Sequence, residues 1–160
     1  MIQFKAPSKQ IIDGVIVKQR RVIPDNRGRL GEILRNDDEQ FKQFGQAYFT
    51  TGLPGVVKAF HLHKVAWDYW YVVHGMIQLV LFDDREGSPT KDVLNVFHIG
   101  EHNPASVLIP PYVIHGFKTI SEHEAIIINI PSEPYNYTNP DEFRIEPHGV
   151  VPHDWNKVDG

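Results

Sequence analysis

The chain has 160 residues, enough for one domain with a substantial apolar core and too few for a second domain of ordinary size. It contains no cysteine, which excludes disulfides, thiolate metal sites and thiol nucleophiles and favours a reducing, cytoplasmic setting. The net charge is −4 with no basic block, and no apolar run approaches the length of a membrane span. We therefore expect a single domain over residues 1–160, with neither nucleic acid nor membrane as a partner.

The predicted elements are almost all strands. Short runs rich in Val, Ile, Tyr and Phe recur between clusters of Gly, Pro, Asn and Asp, which is typical of an all-β sandwich or barrel. In chain order the predicted strands are residues 14–23, 45–51, 55–62, 69–73, 76–82, 93–99, 105–109, 116–120 and 125–130. We expect most strands to pair with their sequence neighbours through tight turns, such as the one at His74 and Gly75.

Two segments depart from the strand pattern. A short helix is predicted at residues 37–44, where Asp37 or Asp38 would cap the first turn. From Pro131 onward the alternation gives way to Pro, Asn, Asp and Tyr. This composition predicts an extended C-terminal tail laid over the barrel or a partner.

The densest chemical signal surrounds two histidines in the middle of the chain. His61 and His63 are two residues apart on a predicted strand, so their side chains share a face. Asp68 begins the next strand, and a hairpin would bring its carboxylate beside them. His115 follows a proline-containing turn and would complete the set. The sequence predicts three imidazoles and one carboxylate converging at the barrel mouth.

Such a set suits two kinds of chemistry. The pKa of a histidine begins near neutrality, as a general base requires, and a nearby carboxylate orients the ring. Three neutral imidazoles and a carboxylate are also good ligands for Fe, Mn, Ni or Zn, so a metal-dependent oxygenase or isomerase stays open. Six further histidines lack this spacing and are interpreted as solvated surface residues: His74, His98, His102, His123, His148 and His153.

The spacing from Gly55 through the histidine pair to Gly75 resembles the first cupin motif, with Asp68 where that family has Glu. The turn before His115 is similar to the second cupin motif, with Tyr112 where Gly is usual. This resemblance implies an antiparallel β-barrel of the jelly-roll type.

A resemblance that runs nearly end to end is to the dTDP-4-dehydrorhamnose 3,5-epimerase family, a branch of the cupins. Its most specific runs here are residues 85–90 (REGSPT) and residues 109–117 (IPPYVIHGF). The resemblance implies a homodimer without metal or other cofactor, acting on a nucleotide-linked 4-keto-6-deoxyhexose in deoxysugar or polysaccharide biosynthesis.

The same resemblance implies roles for individual residues. His61 matches the general base that removes protons next to the 4-keto group. Arg27 and Glu32 match positions that hold the nucleotide, and Lys58 matches a phosphate-binding Arg. The enolate oxygen must also be stabilised by a nearby donor. The identities of this donor and of the general acid are left open.

Other positions depart from the epimerase pattern. Asp68 replaces the family's catalytic Lys, Ile128 lies near the position of its general-acid Tyr, and His63 stands where Gln is usual. The run 60–64 (FHLHK) is instead similar to the sugar-nucleotide 3,4-ketoisomerases, also metal-free cupins. We therefore interpret His63 and Asp68 as a proton shuttle or an orienting pair. A catalytically inactive sugar-binding cupin is a further alternative.

Overall fold

The structure, a computed structural model, describes residues 3–156 and consists of strands, turns and loops. Twelve strands and no helix occur in this range, and accordingly none of its segments is a helix that could cross a membrane. The strands are β1 (Ile16–Gln19), β2 (Val22–Asp25), β3 (Gly28–Gly31), β4 (Tyr48–Gly52), β5 (Val57–Leu62), β6 (Asp68–His74), β7 (Met76–Phe82), β8 (Leu94–Gly100), β9 (Ala105–Ile109), β10 (Ile114–Thr119), β11 (Ala125–Asn129) and β12 (Phe143–Arg144).

The strands form two five-stranded antiparallel sheets and a separate hairpin. The back sheet has the order β1-β9-β6-β11-β4, the front sheet has the order β12-β5-β10-β7-β8, and β2 pairs with β3 alone. The all-β prediction is confirmed. The closed barrel is wrong, because each sheet keeps two open edges and the two sheets pack face to face.

Strand pairing is mostly between elements far apart in the sequence. Within residues 3–156 only β2 with β3 and β7 with β8 pair as sequence neighbours. The hairpin predicted at His74 and Gly75 is wrong, because the chain passes there from the back sheet to the front sheet. Gly75 has a φ of 70° at this crossing, and a Cβ would lie 2.9 Å from the Cα of Ala125. A larger residue is therefore excluded from the crossing.

The main core lies between the sheets and follows the two-residue period of the strands. Trp70 and Val72 of β6 point into it and pack with Ile77, Leu79 and Leu81 of β7. Tyr69 and Tyr71, which alternate with these residues along β6, point outward into a smaller cluster on the far side of the back sheet. The inner face of β6 therefore begins at its first residue, Asp68.

The predicted helix at 37–44 is wrong, because this segment consists of turns and loop. The Asp38 carboxylate accepts hydrogen bonds from Lys18 at 3.0 Å and from Arg20 at 2.6 Å, and Gln40 donates to the Ile16 carbonyl at 2.7 Å. These contacts hold the segment against β1. Side-chain bonds of Asp and Gln to distant groups compete with helix formation.

The segment after β11, predicted as an extended tail, folds back over the front sheet. Phe60 and Ile145 exchange two backbone hydrogen bonds, of 2.8 and 2.9 Å, next to the short strand β12. Trp155 is 2% exposed, packs on Phe60 with ring centroids 5.2 Å apart, and donates to the Pro147 carbonyl. Residues up to 156 thus cover the outer face of the front sheet.

Candidate active site

The four residues singled out by spacing come together between the sheets. His61 on β5 is the register partner of His115 on β10, so two neighbouring strands of the front sheet place the rings on one face. His63 follows immediately after β5. Asp68 is the first residue of β6 and reaches them from the back sheet, so the hairpin predicted to deliver it is wrong.

The Asp68 carboxylate is the centre of this cluster. Its Oδ2 lies 3.1 Å from His115 Nε2, 3.3 Å from His63 Nε2 and 3.9 Å from His61 Nε2, and it accepts a hydrogen bond from Trp70 Nε1 at 3.3 Å. The His61 and His115 rings are 4.1 Å apart, edge to face. Both Asp68 and His115 are buried, whereas the side chain of His61 is 22% exposed, so a ligand can reach it.

Asp141, which sequence reasoning did not select, fixes the position of His63. Its backbone carbonyl accepts from His63 Nδ1. Its carboxylate accepts from the backbone N–H groups of Lys64, Val65 and Ala66, each at 2.9 Å. Asp141 therefore anchors both the loop from β5 to β6 and the orientation of the His63 ring.

Burial and charge push the pKa values of the two neighbouring histidines apart. Burial, with the adjacent His115, holds the pKa of His61 well below its ordinary value. Burial acts in the same direction on His63, but the Asp68 carboxylate and the Asp141 carbonyl outweigh it and raise its pKa to about 9. Burial opposes ionisation of Asp68 as well, yet His115 and His63 keep its pKa well below the usual range. At neutral pH His61 is neutral and His63 is charged.

Two buried polar atoms of the cluster have no hydrogen-bond partner within the described range, namely His63 Nε2 and Asp68 Oδ1. His63 Nε2 lies 3.3 Å from Asp68 Oδ2, but the two groups are not aligned for a hydrogen bond. Unsatisfied buried groups are rare in native proteins and mark sites where a ligand or water binds. In addition, one ligand atom from each of the four residues lies within 4.8 Å of the others, a set that could hold a metal ion.

A cavity of about 420 Å³ opens beside this cluster and is lined by His63, Asp68, Tyr48, Tyr135 and Tyr137, among others. Its volume is in the range typical of small-molecule sites. A cavity of about 850 Å³ lies elsewhere, between residues 4–7 and residues 153–155, and none of the four clustered residues lines it. The smaller cavity is the candidate substrate site, because two of the four clustered residues, His63 and Asp68, line it.

Tyr48 is a functional candidate that sequence reasoning missed. It lies on β4, opposite Asn129 of β11, and its hydroxyl accepts a hydrogen bond from the Asn129 amide at 2.8 Å. Burial and the negative charge of Asp68 raise its pKa to about 12. The phenol therefore keeps its proton at neutral pH and can donate it. The pairing of β4 with β11 joins residues some 80 positions apart, which periodicity does not reveal.

Lys58 faces the space between the sheets near the open edge of the cleft. It lies three residues before His61 on β5, and a register shift between β5 and β10 places both side chains on one side of the strand. The register partner of Lys58, Phe117, belongs to the inner core. Its ammonium group donates to Thr50 Oγ1 of β4 at 3.2 Å. A cation thus stands on the same side of β5 as His61.

Arg27 and Glu32 lie outside the cluster. Arg27, at the tip of the β2–β3 hairpin, pairs with Asp25 at 2.6 Å, and Glu32 pairs with Arg35 at 3.3 Å. Both side chains are mostly exposed. Among residues 3–156, neither forms a hydrogen bond or ion pair with the four clustered residues.

Comparison with known proteins places this chain in a family. The family model described as dTDP-4-dehydrorhamnose 3,5-epimerase matches residues 9–150. The chain is 42% identical over 135 residues to the spore coat polysaccharide biosynthesis protein SpsL of Bacillus subtilis, covering 84% of this chain and 89% of that protein. It is 39% identical over 136 residues to the probable low-salt glycan biosynthesis epimerase Agl13 of Haloferax volcanii, covering 84% and 87%.

A solved structure agrees with these matches. The crystal structure of a dTDP sugar isomerase from Desulfovibrio desulfuricans G20 superposes with a TM-score of 0.86 at 32% identity, covering 92% of this chain and 94% of that one. The range matched by the family model, residues 9–150, includes both sheets and all four clustered residues. The chain therefore belongs to the dTDP-4-dehydrorhamnose 3,5-epimerase family.

Proposed function

We propose that this protein is a nucleotide-sugar isomerase that moves protons at carbons next to the 4-keto group of a nucleotide-linked 6-deoxyhexose. The observation that carries the proposal is a neutral, accessible His61 within 4 Å of a buried carboxylate, beside a charged His63. The names of the two curated relatives, in polysaccharide and glycan biosynthesis, support a role in making such sugars.

The first chemical step uses His61 as the base. A C–H bond next to a ketone breaks, its proton goes to the neutral ring of His61, and its electron pair moves into an enolate. The Asp68 carboxylate, 3.9 Å from His61 Nε2, stabilises the imidazolium that forms. The charged His63 at the cavity wall stabilises the negative enolate oxygen.

The second step returns a proton to carbon. Tyr48 lines the same cavity and stays protonated at neutral pH, so it serves as the acid that delivers a proton to the enolate carbon. If this proton arrives on the face opposite to His61, the stereocentre is inverted. The Asn129 amide, which donates to the Tyr48 oxygen, stabilises the phenolate left behind until it regains a proton from solvent. The His61 imidazolium releases its proton to solvent, which restores the neutral base.

The nucleotide part of the substrate requires cations. Lys58 is the cation closest along β5 to His61, and we assign it to the phosphates.

The β2–β3 hairpin, which carries Arg27, lies against the outer face of the back sheet, away from the four clustered residues. A side chain at Gly31 of this hairpin would contact the Tyr71 hydroxyl on that outer face. We therefore propose a homodimer, active in the cytoplasm, in which Arg27 and Glu32 serve the site of a second copy.

Subunit mixing tests this dimer. His61→Ala and Arg27→Ala should each be inactive alone. Mixed, unfolded together and refolded, they should recover about one quarter of the wild-type rate, because half of the randomly formed dimers contain one intact site. No recovery in mixtures shown to contain hybrid dimers would contradict the shared site.

The activity itself is tested by turnover of nucleotide-linked 4-keto-6-deoxysugars, followed by chromatography. His61→Ala should lose turnover while keeping the wild-type unfolding midpoint, and His148→Ala, which removes an exposed histidine elsewhere, should keep full activity. The product distinguishes an epimerised 4-keto sugar from the 3-keto sugar of a ketoisomerase. Wild-type turnover in His61→Ala would refute the assignment.

A metal-dependent cupin enzyme is the second candidate, favoured by the four ligand atoms within 4.8 Å and the two unpaired buried atoms. His61, His63, His115 and Asp68 would hold the ion, which would supply Lewis-acid chemistry. This candidate predicts that chelation abolishes turnover and that one divalent metal restores it. Full activity after chelation excludes it, and tight sugar-nucleotide binding without turnover in any metal indicates the inactive binder.

A further inference from the structure

A second cluster of metal-ligand type lies at the opposite end of β6 from Asp68. His74 ends β6, Glu101 follows β8, and His123 lies in the connection from β10 to β11. His74 Nδ1 is 3.2 Å from one oxygen of Glu101, and His123 Nε2 is 3.3 Å from the other. One ligand atom from each residue lies within 4.8 Å of the others. We call these three residues the distal triad.

The distances within the distal triad are compatible with a shared ion. Neither contact with Glu101 has the alignment of a hydrogen bond, although both are short enough. Around a tetrahedral zinc with bonds of about 2.0–2.1 Å, neighbouring ligand atoms are about 3.3 Å apart. Each histidine nitrogen lies at about that distance from one of the two Glu101 oxygens, and two histidines with a carboxylate are an established donor type for zinc.

The backbone around the triad is already fixed by hydrogen bonds. Glu101 N–H donates to the carbonyl of Gly75, the residue after His74, at 3.0 Å. The Ser121 hydroxyl donates to the His123 carbonyl at 2.9 Å and accepts from Met76 N–H at 3.1 Å. Three connections that are distant in sequence are therefore held together before any ion binds. Such preorganisation lowers the entropic cost of binding.

Glu101 supplies the negative charge of the triad, and a bound ion would compete for it with Arg29. The Glu101 carboxylate is 14% exposed, and the other groups near it are Arg29 at 3.7 Å and His102 at 3.9 Å. The half-exposed rings of His74 and His123 leave coordination positions open to solvent. His74 lies six positions after Asp68 on β6, about 20 Å along an extended strand. An ion here would not touch the proposed catalytic cluster.

We propose that His74, Glu101 and His123 form a binding site for a divalent transition metal ion of the zinc type, completed by water or by His102. The ion would join the ends of β6, β8 and β10 and stabilise the fold at this end. This inference is independent of the proposed isomerase activity.

Diffraction and calorimetry with zinc chloride test the site. Crystals of chelator-treated protein, soaked with zinc, should show an anomalous peak at the zinc edge between His74, Glu101 and His123. This location separates the site from any ion bound by the His61 cluster. In calorimetry, His123→Ala and Glu101→Gln should each lower the affinity for zinc at this site at least about tenfold. Loss of a residue that only hydrogen-bonds to a metal ligand already lowers metal affinity by about that factor.

His148→Ala is the matched control, because it removes an exposed histidine but leaves the triad intact. It should bind zinc as the wild type does. The variants should keep the unfolding midpoint of the metal-free wild type, which shows that they fold. An anomalous map without a peak at the triad, or unchanged zinc affinity in both triad variants, would overturn the proposal.

Discussion

Replacing Asp141 with alanine should destabilise the protein by about 2–4 kcal/mol. The Asp141 carboxylate accepts three backbone hydrogen bonds of 2.9 Å from the loop between β5 and β6. The N–H of Ala66, a buried residue, would lose its partner, which costs about 1–3 kcal/mol. The N–H groups of Lys64 and Val65 are on exposed residues and can bond to water, so each adds about 0.5 kcal/mol.

Urea denaturation followed by tryptophan fluorescence measures this loss of stability as a lower midpoint with an unchanged slope. Asp84→Ala is the control, since Asp84 is exposed and its loss should change stability by less than about 0.5 kcal/mol. Turnover should also fall in Asp141→Ala, because the His63 ring loses its anchored loop. Equal midpoints for Asp141→Ala and wild type would refute the view that this carboxylate anchors the loop.

Four further predictions concern the cluster and the core. In profiles of kcat/KM against pH, activity should persist below pH 6.5, where His61 stays neutral. It should decline near pH 9, where His63 loses its proton, and this decline should be absent from His63→Gln. The pKa of His63 in the folded protein lies above its ordinary value of 6.5, so the stability that its charge adds is complete below pH 6.5 and is lost as the pH rises through 9. The urea midpoints of wild type and His63→Gln should therefore converge as the pH rises through 9. Tyr48→Phe should lower kcat about 10²–10⁴-fold with little change in KM; an unchanged kcat would remove Tyr48 from the mechanism. Trp155→Ala should lower the free energy of unfolding by about 3–5 kcal/mol, measured in urea, and a loss under 1 kcal/mol would show that the C-terminal segment adds little.

The sequence was most informative where local periodicity decides the geometry. The two-residue period of a strand predicts that His61 and His63 approach a common centre, and they do so at Asp68. Runs rich in Val, Ile, Tyr and Phe between turn residues predict nine strands, and an observed strand overlaps each of those segments. The all-β class follows from such local patterns.

The rest depends on contacts between distant segments. Asp68 reaches the histidines from the opposite sheet, because β6 pairs with β9 and β11 and not with β5. Tyr48 enters the site through the pairing of β4 with β11, and Asp141 through a loop more than 70 residues after the N–H groups it binds. The helix at 37–44 fails for a similar reason, since Asp38 binds cations on and beside β1. Local propensity contains no information on any of these partners.

The most direct test of the proposed proton transfer is deuterium incorporation. Metal-stripped protein is incubated in deuterated water with a panel of nucleotide-linked 4-keto-6-deoxysugars, and the carbons beside the ketone are followed by NMR. We expect the wild type to incorporate solvent deuterium at one or both of these carbons, and His61→Ala to incorporate none. No uptake from any sugar by the wild type, or undiminished uptake by His61→Ala, would contradict the assignment of His61 as the base.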